Sequence, residues 1–355
     1  MTDFLIVGRG LAASVLMHTF KKHSFSFTAI GNQHLSSCSS VAAGIWNPIV
    51  FKRLTKSWLA DDLISFLLPF YSDCESEMET SFVKLRAIVK PFTEEQERML
   101  WLRKSETELL NFIKSPMDEQ ITAEISQCKV PNGYGTVNQA GNINVKLFIE
   151  SSAAFFSKHI YDDVFDHNLL KIYSDRVCYK YFEFKNIIFC EGFLVKDNPF
   201  FNWIPLKPAK GEILTIKMQN FRLKETIFNK NGFILNTGED EYKAGATYAW
   251  DDLSQEPTKR RMNELRLKIN QMTDHSYRVV SHEAGIRPSS VDRRPIIGAH
   301  PTYSSLFVFN GLGTKGVMLA PYFANNFVNF YLKKEPLNES VHVKRFYHLY
   351  GKKEN

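Results

Sequence analysis

The first 31 residues contain a strand, a glycine turn, a helix and a second strand in direct succession. Residues 4–7 (Phe-Leu-Ile-Val) form a short continuous apolar run, which is typical of a strand buried on both faces. The motif Gly-Arg-Gly-Leu-Ala-Ala follows at once at residues 8–13, and apolar residues then recur at near-helical spacing. This order predicts a βαβ unit, and a GxGxxA motif directly after an N-terminal strand favours a dinucleotide-binding domain.

Each small residue of this motif has a physical role in such a domain. Gly8 permits the tight turn, Gly10 lets the backbone approach a pyrophosphate, and Ala13 lets the helix pack closely on the strand. Leu11 and Ala12 begin the helix, whose unpaired N–H groups and positive dipole end favour a diphosphate. The alternative interpretation is a glycine turn that binds nothing.

The motif lacks one expected partner, the acidic residue that binds the ribose hydroxyls. That residue is expected at the end of the second strand, where this chain has Gly31. Asn32 or Gln33 would supply neutral hydrogen bonds instead, which are weaker than those to a carboxylate.

Composition and charge exclude several classes of protein. The chain has 355 residues, 44% of them hydrophobic, which is enough for about two domains and excludes wholesale disorder. The net charge of +6 is spread along the chain, so a solvated surface is favoured over a nucleic-acid site. Five scattered cysteines without a CxxC pair, and histidines without ligand spacing, predict no metal site. Without a signal peptide or an apolar run of spanning length, we expect a cytoplasmic protein.

Coarser patterns suggest how the rest of the chain is organised. Residues 93–114, rich in Glu, Leu and Arg, predict a helix, and residues 133–143 predict turns between strands. Residues 187–190 read as a buried strand, and residues 317–333 as a closing helix. A βαβ unit at the front, strands in the middle and a helix at the end predict an interrupted α/β nucleotide-binding domain with a β-rich domain inserted into it.

Three further motifs carry candidate functional residues. Residues 39–48 (Ser-Ser-Val-Ala-Ala-Gly-Ile-Trp-Asn-Pro) are small enough to pass beside a planar ligand, although a plain tight loop is an equal alternative. Residues 285–288 (Gly-Ile-Arg-Pro) present Arg287, and residues 311–316 (Gly-Leu-Gly-Thr-Lys-Gly) open the last helix. A glycine-rich helix start offers a second set of free N–H groups to negative charge.

The four motifs, in this order and at these separations, resemble the FAD-dependent D-amino-acid oxidase family, which includes glycine and sarcosine oxidases. The resemblance implies an α/β fold: an FAD-binding Rossmann-like domain of the glutathione-reductase type, with an inserted β-rich α+β substrate domain. It places the FAD domain at residues 1–81, 140–196 and 282–355, and the substrate domain at residues 82–139 and 197–281.

The resemblance also implies roles for individual residues. Arg287 would clamp the substrate carboxylate, because a guanidinium meets a carboxylate with two parallel hydrogen bonds; a structural salt bridge is the alternative. Lys315 would stabilise the anionic reduced flavin, with a solvated lysine at a helix N-terminus as an equal alternative. Tyr248 with Trp250 would form an aromatic wall unless they belong to an ordinary core strand. The residues implied to contact FAD are Gly8, Gly10, Leu11, Ala12, Ala13, Asn32, Ser39, Ser40, Ala43, Gly44, Asn47, Val177, Gly192, Gly311, Gly313, Thr314, Lys315, Gly316 and Val317.

The implied activity is oxidation of the C–N bond of an amino acid or an N-substituted glycine by hydride transfer to flavin N5. The partner would be a small molecule carrying an amine and a carboxylate. The chain also resembles the FAD domain of the bifunctional enzyme that removes a carboxymethyl group from a tRNA wobble uridine, which keeps tRNA as an alternative partner. A third alternative is a non-catalytic flavoprotein. The substrate, the electron acceptor and the oligomeric state are left open by the sequence.

Overall fold

The computed structural model describes residues 1–32, 38–114 and 118–351. Its α-helices in this part of the chain are α1 Leu11–Lys22, α2 Cys38–Val41, α3 Ala60–Met78, α4 Glu95–Ser105, α5 Glu119–Glu124, α6 Val145–Phe155, α7 Lys259–Met272 and α8 Gly316–Tyr331.

The strands form two large sheets and two small ones. They are β1 Thr2–Val7, β2 Phe27–Ile30, β3 Ile45–Trp46, β4 Ile49–Val50, β5 Thr55–Lys56, β6 Val83–Leu85, β7 Ile88–Pro91, β8 Ile113–Lys114, β9 Tyr134–Val137, β10 Gly141–Ile143, β11 Ile160–Tyr161, β12 Leu170–Ile172, β13 Val177–Tyr179, β14 Phe182–Phe189, β15 Ala209–Lys217, β16 Ile227–Asn229, β17 Phe233–Asn236, β18 Glu241–Gly245, β19 Arg278–Arg287, β20 Ile296–Ala299 and β21 Leu306–Asn310.

The first large sheet has the order β11-β2-β1-β14-β13-β12, with β21 beside β14 and β20 beside β21. Strand β1 pairs in parallel with both β2 and β14, and β14 pairs in parallel with β21. Val7 lies opposite Ile30 on one side and Phe189 on the other, so the carboxyl ends of these strands meet at one edge. Ligands of open parallel sheets bind at such an edge.

Helices α1 and α8 cover one face of this sheet. Phe4 of β1 packs against Phe20 of α1 at a centroid distance of 4.5 Å and against Phe327 of α8 at 6.2 Å. Ala13 is completely buried, as expected for a helix that lies close to its strand. The beginning and the end of the chain therefore share one hydrophobic core.

The second large sheet has the order β19-β15-β18-β17-β16-β7-β9-β8 and is antiparallel except for the β16–β7 pair. Leu214 and Ile216 of β15 share a buried cluster with Leu265 and Ile269 of α7, which covers one face. The opposite face contacts α2, because a Cβ atom at Gly285 of β19 would lie 3.0 Å from Cys38 Cα. The second sheet thus lies over α2.

The predicted α/β architecture, with a β-rich second part, is present, while some local predictions are wrong. The helix predicted over residues 93–114 ends at Ser105, and Ile113–Lys114 instead pairs with β9. Residues 133–143, predicted as turns, contain β9 and β10. The expected domain boundary at residue 282 falls within strand β19, and the division into two domains stays a prediction. None of the described helices is both long and apolar enough to cross a bilayer.

Candidate active site

The glycine turn after β1 is built as the motif requires. Gly8 has φ +130°, and a Cβ atom there would lie 2.5 Å from the carbonyl oxygen of Cys190, so a larger residue would clash with β14. Gly10 precedes α1 in an extended conformation and, having no side chain, does not cap the helix itself. Ser39 Oγ accepts a hydrogen bond of 3.2 Å from the amide of Leu11. Ala12 and Ala13 occupy the first turn, which carries no acidic residue to oppose an anion.

The structure gives a reason for the missing acidic residue after β2. A Cβ atom at Gly31 would lie 2.9 Å from Cβ of Arg9 and 3.0 Å from the backbone carbon of Gly8. The Arg9 guanidinium forms an ion pair of 3.2 Å with Asp162, a carboxylate that directly follows β11. Sequence analysis missed Asp162, because the pairing of the two-residue strand β11 beside β2 leaves no pattern. Asn32 is among the described residues, whereas Gln33 lies outside them.

The segment of small residues at 39–48 contains most of α2 and all of β3, and it packs tightly on strand β10 of a small sheet. Gly44 has φ +67°, and a Cβ atom there would lie 1.9 Å from the carbonyl oxygen of Ile143. Asn47 uses its side-chain oxygen to accept a bond of 2.8 Å from the amide of Ile49, which fixes the turn. Ser40, within α2, and Ala43, just after it, come before Gly44 in the chain and are half-buried. The close approach at Gly44 is to the protein's own backbone, as a plain tight loop also requires.

The glycine-rich turn before α8 lies beside the start of α1. Gly311 has φ +74° and Gly313 has φ +57°, both in the left-handed region. A Cβ atom at Gly316 would lie 3.0 Å from the side chain of Leu11, so a larger residue would fill the space between the two helix starts. Thr314 is exposed, and the first turn of α8 contains no acidic residue. Two positive helix ends therefore converge on one space.

The turn before α8 is also joined to the segment that carries Arg287. The Gly313 amide donates a bond of 3.3 Å to Pro288 O, and Ser289 forms a backbone bridge with Leu312. The two motifs that are farthest from the chain start, G-x-R-P and the glycine-rich turn, are thus one structural unit.

Lys315 points from this turn into the loop that follows Asn47. Its Nζ donates a short hydrogen bond to Ser57 Oγ, and Ser57 Oγ in turn donates to Asn47 O. Burial, together with the positive charge of Arg294, lowers the pKa of Lys315 to about 8. Within the described residues no carboxylate forms an ion pair with Lys315. Arg294, which sequence analysis missed, stacks on Trp58 with its guanidinium carbon 3.9 Å from the ring centroid.

The guanidinium of Arg287 is held between a glycine backbone and an aromatic ring. A Cβ atom at Gly211 would lie 2.0 Å from Nη2, so only glycine leaves space for the side chain. The ring of Tyr248 covers the guanidinium at 4.3 Å from its carbon, and Nη1 donates a bond of 3.2 Å to Thr247 O. No ion pair of Arg287 is present within the described residues. Sequence analysis missed the roles of Gly211 and Thr247, which lie on other strands.

The remaining predicted residues are packed into the protein. Val177 is completely buried in the core of the first sheet, where it pairs with Phe184. Gly192 O accepts a bond of 2.9 Å from the Asn310 side chain, and Val317 O accepts one of 3.0 Å from the Tyr71 hydroxyl. Gly192 and Val317 thus lie next to the carboxyl ends of β14 and β21, whereas Val177 lies level with Thr2, toward the other end of β1. Across the part of the chain that the structure describes, no cluster of side chains suits a metal ion.

The arrangement fits a dinucleotide cofactor. Gly8 packs on Cys190 and Gly316 on Leu11 so closely that a Cβ atom would clash or crowd its neighbour, and this brings together two helix starts that carry no acidic side chain in their first turns, as a diphosphate requires. A dinucleotide cradle on one sheet, covered by a second sheet that presents an arginine, defines an FAD-dependent oxidoreductase. The chain belongs to the DAO family of FAD-dependent oxidoreductases, whose model matches residues 3–328.

Individual relatives agree with this family assignment. The chain is 26% identical over 140 residues to glycine oxidase of Bacillus subtilis strain 168, which is 39% of this chain and 38% of that protein. It is 25% identical over 372 residues to the tRNA 5-methylaminomethyl-2-thiouridine biosynthesis bifunctional protein of Legionella pneumophila, strain Philadelphia 1, covering 89% of this chain and 52% of that protein. The chain thus spans about a third to a half of the length of these curated relatives.

A solved structure shows the same fold. The structure of iminodiacetate oxidase from Chelativorans sp. BNC1 superposes with a TM-score of 0.80 at 14% identity, covering 96% of this chain and 98% of that one. This likeness confirms the predicted fold class, and the family match confirms the family resemblance and the dependence on FAD.

Proposed function

We propose that this enzyme oxidises the C–N bond of an N-substituted glycine or a related amino acid. The observation that carries the proposal is the Arg287 guanidinium, which lacks an ion-pair partner among the described residues although protein covers both of its faces. A guanidinium held in this way leaves its N–H edge for a planar anion, and a carboxylate matches that edge. Iminodiacetate, after which the structurally similar oxidase from Chelativorans is named, is itself an N-substituted glycine.

The residues that contact FAD are part of the same proposal. The helix starts of α1 and α8 would hold the diphosphate and the carbonyl end of the flavin, with the 39–48 loop along the ring. Lys315 would place a cation near that carbonyl end. The FAD-binding portion would comprise residues 1–81, 140–196 and 282–355, and residues 82–139 and 197–281 would cover the substrate.

The residues of the chain would act mainly by positioning. When bound, FAD supplies the hydride acceptor for the carbon next to the substrate nitrogen. Arg287 holds the carboxylate, so that this carbon is fixed in one orientation, and Tyr248 restricts the guanidinium to one plane. Loss of a hydride from carbon and a proton from nitrogen leaves an imine, which water hydrolyses to an amine and glyoxylate. Such positioning alone can lower a barrier by several kcal/mol.

The test is an anaerobic titration of the purified yellow protein with sarcosine, glycine and iminodiacetate. Bleaching of the flavin absorbance by at least one of them is expected. Arg287→Ala should keep the flavin but raise the KM for that substrate by about 100-fold, the loss expected for a charge-assisted bidentate pair. Arg278→Ala, at the exposed start of the same strand, is the matched control and should behave like the wild type. Failure of all three substrates to bleach the flavin, or an unchanged KM in Arg287→Ala, would refute the proposal.

A second candidate function is removal of a carboxymethyl group from a modified uridine in tRNA. The observation in its favour is the extent of the match to the Legionella protein, which covers 89% of this chain, against 39% for glycine oxidase of Bacillus subtilis. A carboxymethylamino group is also an N-substituted glycine, so Arg287 would serve the same purpose. Binding of tRNA should weaken steeply as salt rises, because basic side chains displace counterions from phosphates. Absence of tRNA binding at low salt would exclude this candidate.

A further inference from the structure

Two aromatic rings extend from Arg287 to the molecular surface. The Tyr248 ring covers the guanidinium, and the Trp250 ring lies nearly parallel to it, 6.2 Å away with an interplanar angle of 26°. Tyr248 is 46% exposed and Trp250 is 59% exposed. A large apolar ring normally gains by burial, so two exposed and mutually stacked rings beside the substrate clamp require an explanation.

The segment that carries these rings is residues 246–258, which join β18 to α7. A lysine that is completely buried, Lys210, anchors this segment. Its Nζ lies 2.7 Å from Asp252 Oδ2 and 3.0 Å from Ser254 Oγ. The same ammonium donates a short bond to the carbonyl oxygen of Glu256. One ammonium thus holds three points of the segment, and each of these bonds is lost if the segment lifts away.

The backbone on either side of Tyr248 is fixed as well. Lys210 and Ala249 exchange two backbone hydrogen bonds of 2.8 and 2.9 Å. The Glu212 amide donates a bond of 3.0 Å to Thr247 Oγ1, and the buried Glu212 carboxylate accepts bonds from the amide and the hydroxyl of Thr258. Because buried charged groups hold this exposed segment, the ring positions are set before a ligand arrives, which lowers the entropy cost of binding.

We propose that Tyr248 and Trp250 form a stacking subsite for a planar aromatic ring carried on the nitrogen of the substrate, and that Lys210 and Asp252 are the positioning residues that hold the subsite open beside Arg287. The inference rests on the proposed function and narrows its substrate class. The carboxylate of the glycine unit would lie at Arg287, and the nitrogen substituent would extend along the rings toward solvent. A hydrogen-bonding pocket is not needed for such recognition, since every aromatic ring has a face that stacks.

The test compares two substrates that share the glycine unit, sarcosine with a methyl group on nitrogen and N-benzylglycine with an aromatic ring. The wild type should have the lower KM for N-benzylglycine. Trp250→Leu should raise the KM for N-benzylglycine about tenfold, as expected for the loss of one stacking contact, with kcat little changed and the KM for sarcosine within about twofold of the wild type. Because Trp250 is exposed, this variant should fold normally.

The positioning role has its own matched pair of variants. Asp252→Asn weakens the contact to Lys210 and should raise the KM for N-benzylglycine selectively, as Trp250→Leu does. Asp251→Asn makes the same change one residue earlier, where the carboxylate reaches only Arg261 at 4.0 Å, and should have no effect. Hydrogen exchange in residues 246–258 should quicken in Asp252→Asn and stay unchanged in Asp251→Asn.

The outcomes separate this inference from the proposed function. A KM that changes equally for both substrates, or for neither, would overturn the stacking subsite, and a selective effect in Trp250→Leu without one in Asp252→Asn would overturn the role of Lys210. Quenching of Trp250 fluorescence by N-benzylglycine, measured as the difference between the wild type and Trp250→Leu, reports stacking without turnover. If no N-substituted glycine bleaches the flavin while this quenching is present, the proposed function fails and the subsite stands.

Discussion

At the scale of single residues, the absence of a side chain at position 211 is as important as the presence of Arg287. A Cβ atom at Gly211 would lie 2.0 to 2.3 Å from three guanidinium atoms of Arg287. Gly211→Ala should therefore push the guanidinium away from Tyr248 and raise the KM for a carboxylate substrate by about 10- to 100-fold, while the flavin content stays the same. Steady-state kinetics and the ratio of flavin to protein absorbance provide the measurement.

The control for this variant is Gly238→Ala. A Cβ atom at Gly238 would lie 3.7 Å from Cβ of Glu241, an ordinary contact in an exposed turn far from the clamp. An unchanged KM in Gly211→Ala would mean that the guanidinium tolerates displacement, and that its position does not control substrate binding.

Lys315 makes stability depend on pH. Burial lowers its pKa to about 8, below the ordinary value of 10.5, so between these values the unfolded chain holds a proton that the folded chain has lost. The contribution of this group to the free energy of unfolding therefore rises with pH across that window, and its destabilising effect is largest below pH 8. In flavin-free protein, Lys315→Met should be more stable than the wild type at pH 7, by on the order of 2–3 kcal/mol.

This difference should shrink toward zero as the pH approaches 10. Thermal unfolding of both proteins from pH 7 to 10 measures it, and Lys334→Met, at an exposed position beyond α8, should match the wild type throughout. A stability gap that is independent of pH would show that Lys315 is destabilising for a reason other than its buried charge.

At the scale of elements, the start of α7 contributes to two structures at once. Thr258 caps the helix by accepting a bond of 3.3 Å from the Arg261 amide, and its hydroxyl also donates to the buried Glu212 carboxylate at 3.1 Å. Asp118, at an exposed site, caps α5 by accepting bonds from the amides of Gln120 and Ile121. Thr258→Ala should cost about 2–4 kcal/mol, because it removes a cap and leaves a buried acceptor short of a donor, whereas Asp118→Ala should cost about 1 kcal/mol.

Chemical denaturation of the two variants measures this comparison directly. Equal losses of stability would show that the bond to Glu212 contributes nothing measurable. The bond between Thr258 and Glu212 could not be foreseen from the sequence, because the two residues are 46 positions apart. A helix cap gives no indication of a distant glutamate, and a single glutamate gives none of a distant cap.

Elements with a strong local signal were predicted well from the sequence, whereas elements set by distant partners were not. The apolar run before Gly8 and the glycine-rich turn before α8 have local causes, and β1 and α8 are found where they were predicted. The helix predicted over residues 93–114 ends early because Phe112 and Ile113 are buried against β9, a contact that sequence spacing does not encode. Asp162 and Gly211 were missed for the same reason.

At the scale of the whole molecule, the proposed cofactor site joins segments that are far apart in the chain. Helix α1 near the first residue and α8 near the last meet at Leu11 and Gly316, and the turn before α8 is bonded to the segment after β19 in the second sheet. The family motifs made this convergence predictable, since each motif implies contact with the same ligand. The covering of Arg287 by Tyr248 was not predictable, because it depends on the register of three strands in the second sheet.

A ligand at this junction should stabilise the entire fold. Ligand that binds only the folded state raises the free energy of unfolding by about 2.7 kcal/mol at a concentration of 100 times Kd, so the Tm of flavin-free protein should rise steadily with added FAD. FMN lacks the adenosine end and the diphosphate, so the α1 start, with Gly8 and Gly10, has little to bind in it. FMN at the same concentration should therefore shift the Tm far less, and Gly8→Ala, whose Cβ would clash with Cys190 O at 2.5 Å, should lose most of the response to FAD. Equal shifts by FAD and FMN would mean that the glycine turn after β1 is not the diphosphate site.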